Sequence, residues 1–215
     1  MSREKKALPI PKAVMDQIQA ALEAETCVIT KAGIMLQMQT GLRISEVLSI
    51  REGCVVKNDG KYFLQVTLSK TVKGEPVIHK VGISENCRKM IAELAQTTEP
   101  LRKESGRKEL FLVRNHGIHV ASARKWTNVR LQSFVKRHHI TDVDGTLYPL
   151  HSHQFRATFV HDRILEGHGV LLVQKQFRHV TPEMTRHYLT LNEQELEIFF
   201  EKMIRFSDTK ENQNE

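Results

Sequence analysis

Residues 39–50 read QTGLRISEVLSI, and the conformation of this stretch decides the fold. Upstream, over residues 26–38, the chain is apolar on most sides, as a helix buried in a core is. QTGLR breaks that helix at Gly41. Ser45 then opens a short helix, SEVLSI, with Glu46 in its first turn, where the helix dipole favours an acid. Arg43 therefore stands between a helix end and a helix start. A planar guanidinium fork placed there can meet an anion alongside backbone N–H groups that the helix leaves unused.

Working outward, Ile10, Val14, Ile18 and Leu22 recur every four residues behind a Pro-x-Pro, which predicts an amphipathic helix with Pro11 near its first turn. Over residues 54–81 the period changes to two. Tyr62, Leu64, Val66 and Leu68 alternate with Phe63, Gln65 and Thr67, SKTVKGE interrupts, and PVIHKV resumes. A small antiparallel sheet with a lysine-bearing hairpin is expected. Helical patterns then follow over 84–96, 122–138, 152–166, 170–177, 182–189 and 192–206, while 100–120 reads as loop with a short strand in ELFLV. Trp126, Val129 and Phe134 read as the core residues of their helix. The expected fold class is α+β, mainly α, with one minor sheet and a single core.

The composition suits one soluble domain. The chain has 215 residues, 40% of them hydrophobic and 27% charged, and no apolar run reaches the ~18 residues of a membrane span. Its start, MSREKKALPIPK, lacks the apolar core of a secretory signal, so an intracellular, cytoplasmic protein is expected. Cys27, Cys54 and Cys87 are odd in number and widely spaced, which points to reduced thiols rather than disulfides or a thiolate metal site. Histidines 138, 139, 151, 161, 168 and 187 fall on different faces or in loops, without acidic or cysteine partners in register, so neither a metal nor another cofactor is expected. The net charge of +7 hides an asymmetry: residues 192–215 hold seven acids and three bases, leaving +11 on the rest. Such an excess is compatible with a polyanionic partner.

Four segments share one chemistry. Arg43 lies at the glycine break, Lys70 and Lys73 at the hairpin tip, His153 and Arg156 three apart and so on one helical face, and His179 nine residues before Tyr188. Attack on a phosphodiester builds charge on the non-bridging oxygens, and two arginines can neutralise it without a metal. A tyrosine can form a covalent ester and release it, since a phenolate leaves more readily than an alkoxide. A hairpin lysine can protonate the departing oxygen, and histidines can accept the phenol proton or hydrogen-bond the phosphate.

These residues, in this order, resemble the catalytic domain of the tyrosine recombinases, the phage integrase family. The resemblance runs through ALPIP, TGLRISEV, SKTVKG, HQFRATF and FRHVTPEMTRHY, nearly the whole chain. It implies a linker-like segment over 1–9, a catalytic domain over 10–206 and an acidic tail over 207–215. It further implies that Arg43 and Arg156 clamp the scissile phosphate with His153 beside them, that Lys70 protonates the 5′ leaving hydroxyl, that His179 bonds a phosphate oxygen and that Tyr188 forms a 3′ phosphotyrosyl bond. Glu46 resembles the family's acidic position that steadies the site. The departures are Arg178 where the family has glycine and Ala157 where it often has histidine. An N-terminal helical domain, usual in the family, has no counterpart here, as in an excised domain or a short member.

Lys73, Arg124, Lys125 and Arg130 are expected DNA contacts. The implied partner is double-stranded DNA, bound by a homo-oligomer, a tetramer. The last helix, with its stripe of Leu196, Phe199, Phe200, Met203 and Ile204, packs on its own domain or docks in trans. The implied activity is metal-independent site-specific recombination, as a mobile-element integrase or transposase. A chromosome or plasmid dimer resolvase and a non-catalytic DNA-binding module are the alternatives.

Overall fold

A computed structural model describes residues 7–68 and 77–166. The chain enters through Leu8 and Pro9 and forms α1 (Lys12–Ala24), capped by Pro11, which sits where a helix needs no backbone donor. Ile10, Val14, Ile18 and Leu22 are all buried, as their spacing predicts. Ile10 is also held by its backbone N–H, which donates to Thr158 Oγ1 at 2.8 Å. Next come α2 (Val28–Thr40) and the short α3 (Ile44–Leu48).

Strands β1 (Val55–Asn58), β2 (Lys61–Leu68) and β3 (Val77–Ile83) form an antiparallel sheet in the order β1-β2-β3. Asp59 and Gly60, at φ 47° and 75°, make the tight turn between β1 and β2. Both residues need positive φ in a type I′ hairpin, whose twist matches that of the strands, and Asp-Gly is a favoured pair for it. The β2–β3 register pairs Leu64 with Val81 and Leu68 with Val77. Leu64, Val66 and Val81 turn inward, and the sheet packs on α2 and α3.

Beyond the sheet, the 100–120 expectation needs correcting. Helix α4 (Glu85–Ser105) runs through Pro100, and β4 (Leu112–Arg114) pairs with β5 (Ile118–Val120) as a second, two-stranded sheet. Proline removes one helical donor, yet the turn around it is braced by Arg102, which donates to the Ala95 carbonyl and to Thr98 Oγ1, both at 2.8 Å. The helix ends only at Gly106, at φ 67°. The hairpin is held from outside its own strands, by Ala121 N–H donating to the Phe111 carbonyl at 2.8 Å.

The expected helix over 122–138 is α5 (Ala123–Lys125), a π-helical segment (Trp126–Leu131) and α6 (Gln132–Arg137) in continuous succession. Trp126 and Phe134 are buried, but Val129 is 58% exposed, which corrects its reading as core. In the wider π turn, with its i to i+5 bonding, a residue three places after Trp126 no longer returns to the same face. The last described element is α7 (Ser152–Leu165), which packs on α2. The helices expected over 170–177, 182–189 and 192–206 lie outside the described residues, and no helix among those described is long and apolar enough to cross a membrane.

One core joins these elements, with Ile18, Ile34, Leu36, Leu64, Leu94, Phe111, Trp126 and Phe155 all essentially inaccessible. Polar ties close its edges. Between α1 and α2 the buried Glu25 carboxylate accepts from the Cys27 N–H at 2.8 Å, from Arg137 Nη2 at 2.5 Å, and from His138 Nε2 at 3.2 Å. Burial raises the Glu25 pKa, but these three bonds outweigh it and hold the carboxyl below its ordinary value of 4.5. A carboxyl depressed in the folded state lends stability above the unfolded pKa and loses it as pH falls through the folded one. As pH falls below the ordinary carboxylate value, urea unfolding should therefore show stability falling less steeply in Glu25→Gln than in the parent. Parallel acid limbs would show that Glu25 is not the titrating tie.

Candidate active site

The site is built on the turn between α2 and α3. Thr40 closes α2 with its hydroxyl on the Leu36 carbonyl at 2.5 Å. Gly41 follows at φ 61° and ψ 12°, its N–H donating to the Gln37 carbonyl at 3.0 Å. Arg43 is extended, at φ −63° and ψ 146°, and caps α3. Its backbone N–H donates to Glu46 Oε2 at 2.7 Å and its Nη1 to Glu46 Oε1 at 3.1 Å. One carboxylate thus fixes both the main chain and the side chain of Arg43. Ser45, expected to open the helix, lies within it and is exposed; the acid three residues after Arg43 satisfies the free N–H, so no hydroxyl is needed.

The second arm is α7. His151 caps it, with its N–H on Gln154 Oε1 at 2.8 Å, and the Gln154 amide is in turn tied to Tyr148 Oη at 2.7 Å. His153 is exposed in the first turn, and Arg156 follows three residues on, 2% exposed. Arg156 Nη1 donates to the Gly41 carbonyl at 3.0 Å across 115 residues of sequence. The two arginines singled out by the sequence therefore meet at one turn. Arg43 is its last residue, and Arg156 bonds the carbonyl of Gly41, two residues before it. Glu46 is 2% exposed and Arg43 17% by side chain, so this pair is largely removed from solvent.

Gln37 escaped the sequence reading as a site residue. It is buried in α2, where its amide nitrogen donates to the Ser152 carbonyl at 3.1 Å and its amide oxygen accepts from Trp126 Nε1 at 3.2 Å. The available signal was a glutamine inside the otherwise apolar run IMLQM.

The expected DNA contacts divide. Arg124 and Lys125 are exposed on α5. Arg130 turns inward, with Nη1 at 3.1 Å from Thr30 Oγ1 and 3.3 Å from Cys27 Sγ, and its guanidinium 5.8 Å from the centre of the Trp126 ring. Burial raises the Cys27 pKa, while hydrogen bonds with Thr30 and the Arg130 charge more than offset it, leaving the thiol below its ordinary value of 9.0. Lys125, Arg130, Arg114 and Arg137 line a cleft of about 790 Å³. Lys70, Lys73, His179 and Tyr188 lie outside the described residues. Among the described residues no group of three His, Cys, Asp or Glu side chains is placed to hold a metal ion.

Residues 10–195 match the model of the Phage integrase family, and the chain belongs to that family. Transposase B from transposon Tn554 of Staphylococcus aureus is 29% identical over 197 residues, which is 90% of this chain and 29% of that protein. The chain thus spans under a third of the length of the curated relatives it matches. In fold it is similar to the XerA recombinase (TM-score 0.70, 15% identity, 94% of this chain and 66% of that one). It is also similar to the integrase of transposon Tn1549, solved in complex with transposon right-end DNA (TM-score 0.65, 17% identity, 94% and 68%). The mainly helical architecture with a small antiparallel sheet is that of the tyrosine recombinase catalytic domain.

The cap geometry makes a direct contrast. Glu46→Gln should lower the free energy of unfolding by about 1–3 kcal/mol, because a buried charged partner of Arg43 is lost. Ser45→Ala should change it by no more than ~0.5 kcal/mol. Urea denaturation of both variants checks this, and a larger loss in Ser45→Ala would return the cap to the serine.

Proposed function

We propose that the chain is the catalytic domain of a site-specific DNA recombinase that cuts and rejoins duplex DNA for the movement of a mobile element. The observation that supports this most directly is the meeting of Arg43 and Arg156 at one turn, with His153 on the adjoining helix start, in a member of the phage integrase family. The similarity to the Tn554 transposase favours the mobile-element role.

In this reading the Tyr188 oxygen attacks phosphorus, a phosphotyrosyl ester forms at the 3′ end, and the bond to the 5′ oxygen breaks. Lys70 gives that oxygen its proton, and His153 takes the phenol proton. Arg43 and Arg156 meet the charge that grows on the non-bridging oxygens, an interaction stronger in the transition state than in the ground state. His179 donates a further hydrogen bond to the phosphate. A 5′ hydroxyl from another strand then attacks the ester and releases Tyr188, so phosphodiester bonds are conserved and no nucleotide hydrolysis is required. The guanidiniums do the work a metal would do elsewhere.

The catalytic domain is assigned to residues 10–206, the apolar stripe of Leu196, Phe199, Phe200, Met203 and Ile204 to docking on a neighbouring protomer of a DNA-bound tetramer, and the protein to the cytoplasm. Lys73, Arg124 and Lys125 contribute phosphate contacts, together with Arg130 if its guanidinium leaves Thr30 when DNA binds.

A pool of nicked duplexes with randomised centres tests the chemistry. A covalent protein–DNA adduct resistant to detergent should form in EDTA with the parent chain and be absent with Tyr188→Phe, while gel shifts of the two remain alike. DNA retention without any adduct would leave a binding module. Arg156→Lys should bind within about tenfold of the parent yet form adduct at least ~100-fold more slowly, because an ammonium cannot reproduce the fork. Equal losses in binding and adduct formation would remove the clamp assignment. Truncation after Leu191 should abolish assembly on DNA by sedimentation if residues 192–206 dock in trans, and an assembled truncated chain would remove that assignment.

A further inference from the structure

We infer that Gln37 is a positioning residue, whose buried amide fixes the start of α7, and through it His153 and Arg156, against the turn that carries Arg43. The inference rests on the recombinase reading above. Gln37 lies in α2 with no accessible surface, between the equally buried Ile34 and Leu36 on one side and Thr40 on the other. A leucine would fill this place at no polar cost, whereas a buried amide is unfavourable unless its donors and acceptor are bonded. What the amide adds is direction.

That direction is set by Trp126. An indole nitrogen can only donate, so the Gln37 oxygen must face Trp126 Nε1, at 3.2 Å, and the amide nitrogen must face the Ser152 carbonyl, at 3.1 Å. The indole itself is closely packed. A Cβ at Gly33, one turn before Gln37, would lie only 2.0 Å from the nearest Trp126 ring carbon, so the missing side chain makes room for the ring. Phe111 meets the same ring edge-on, with centroids 6.1 Å apart.

The Ser152 carbonyl is the helical acceptor four residues before the Arg156 N–H. Gln37 therefore grips α7 at the oxygen that also anchors the Arg156 backbone. From its other end, the Gln37 main-chain carbonyl accepts from the Gly41 N–H at 3.0 Å, and the Gly41 carbonyl accepts from Arg156 Nη1 at 3.0 Å. One residue thus closes a ring of contacts: Gln37 to Gly41, Gly41 to Arg156, Arg156 along its helix to Ser152, and Ser152 back to Gln37. Thr127 Oγ1 on Ser152 Oγ at 2.7 Å and Gln132 Nε2 on the Leu150 carbonyl at 2.7 Å hold the same entry to α7 from the π-helical side. Those contacts keep the helix start in place when Gln37 changes, but they do not join it to the Arg43 turn.

The test uses the full chain, the nicked-duplex pool described above and two variants. Gln37→Met keeps the volume and removes both side-chain hydrogen bonds. At saturating DNA its single-turnover rate of adduct formation should fall roughly tenfold to a hundredfold, the scale of an ångström-sized misplacement of catalytic groups, with DNA affinity unchanged and the folded fraction confirmed by thermal unfolding. Gln37→Glu keeps the shape and can donate to Ser152 only while its carboxyl is protonated. Its rate should approach that of the parent at low pH and decline as pH rises, over a range in which the parent does not decline. A merely structural Gln37 would lower the melting temperature but leave the rate of the folded protein, and the pH profile of Gln37→Glu, as in the parent; that outcome overturns the inference while the recombinase reading stands. No adduct from the parent chain itself would overturn both.

Discussion

A single hydrogen bond, from the Arg156 guanidinium to the Gly41 carbonyl at 3.0 Å, is the contact on which the site depends. It joins the interior of one helix to the turn at the end of another. Removing a guanidinium from water is costly, and the cost is met only where its donors find acceptors of good geometry. A carbonyl in a left-handed turn is such an acceptor because its direction is fixed. At φ 61° any residue with a Cβ would add roughly 1–2 kcal/mol of strain, so glycine lets the chain reverse there cheaply and present its oxygen to α7. Arginine suits the other end for a complementary reason, since its rigid planar fork carries several donors at fixed angles and keeps its charge when buried.

Much of this was legible in the sequence where the cause is local. The four-residue spacing from Ile10 to Leu22 reads correctly as the buried face of α1, the alternation through Leu64 and Val66 as a half-buried strand, and Gly41 as a helix end, because each depends on residues within one or two turns. Arg43, Glu46, His153 and Arg156 stood out by residue type and spacing, and the fold brings Arg43, Glu46 and Arg156 together at one turn, with His153 on the helix beside it. The misreadings share a different origin. Pro100 is a stop signal that α4 overrides with Arg102, Ala95 and Thr98; β5 exists because it pairs with β4; Val129 leaves the core because one turn is widened. None of the three is announced by an apolar period: the first turns on side-chain bonds within the helix, the second on pairing with a neighbouring strand, the third on the width of one turn. Gln37 belongs with these, since its partners are 89 and 115 residues away.

The distribution of charge separates what holds the fold from what is left to attract an anion. The excess of bases suggests a broadly cationic body, yet many described arginines are already engaged with acids: Arg43 with Glu46, Arg51 with Glu109, Arg114 with Glu104 and Arg137 with Glu25. Exposed pairs of this kind add little stability, of order 0–1 kcal/mol, but they cancel charge at the surface. Only where a pair is buried does it impose geometry, as Glu46 does on Arg43 and Glu25 on the α1–α2 connection. Counting bases therefore overstates the area that attracts a phosphate backbone. A general positive field can draw DNA toward the protein and weaken with salt, but it cannot hold one phosphorus in line with an attacking oxygen. That task requires groups whose own positions are fixed by burial and hydrogen bonds, and the proposed clamp meets the requirement: Arg43 is held by Glu46, and Arg156 is held on the Gly41 carbonyl of the same turn.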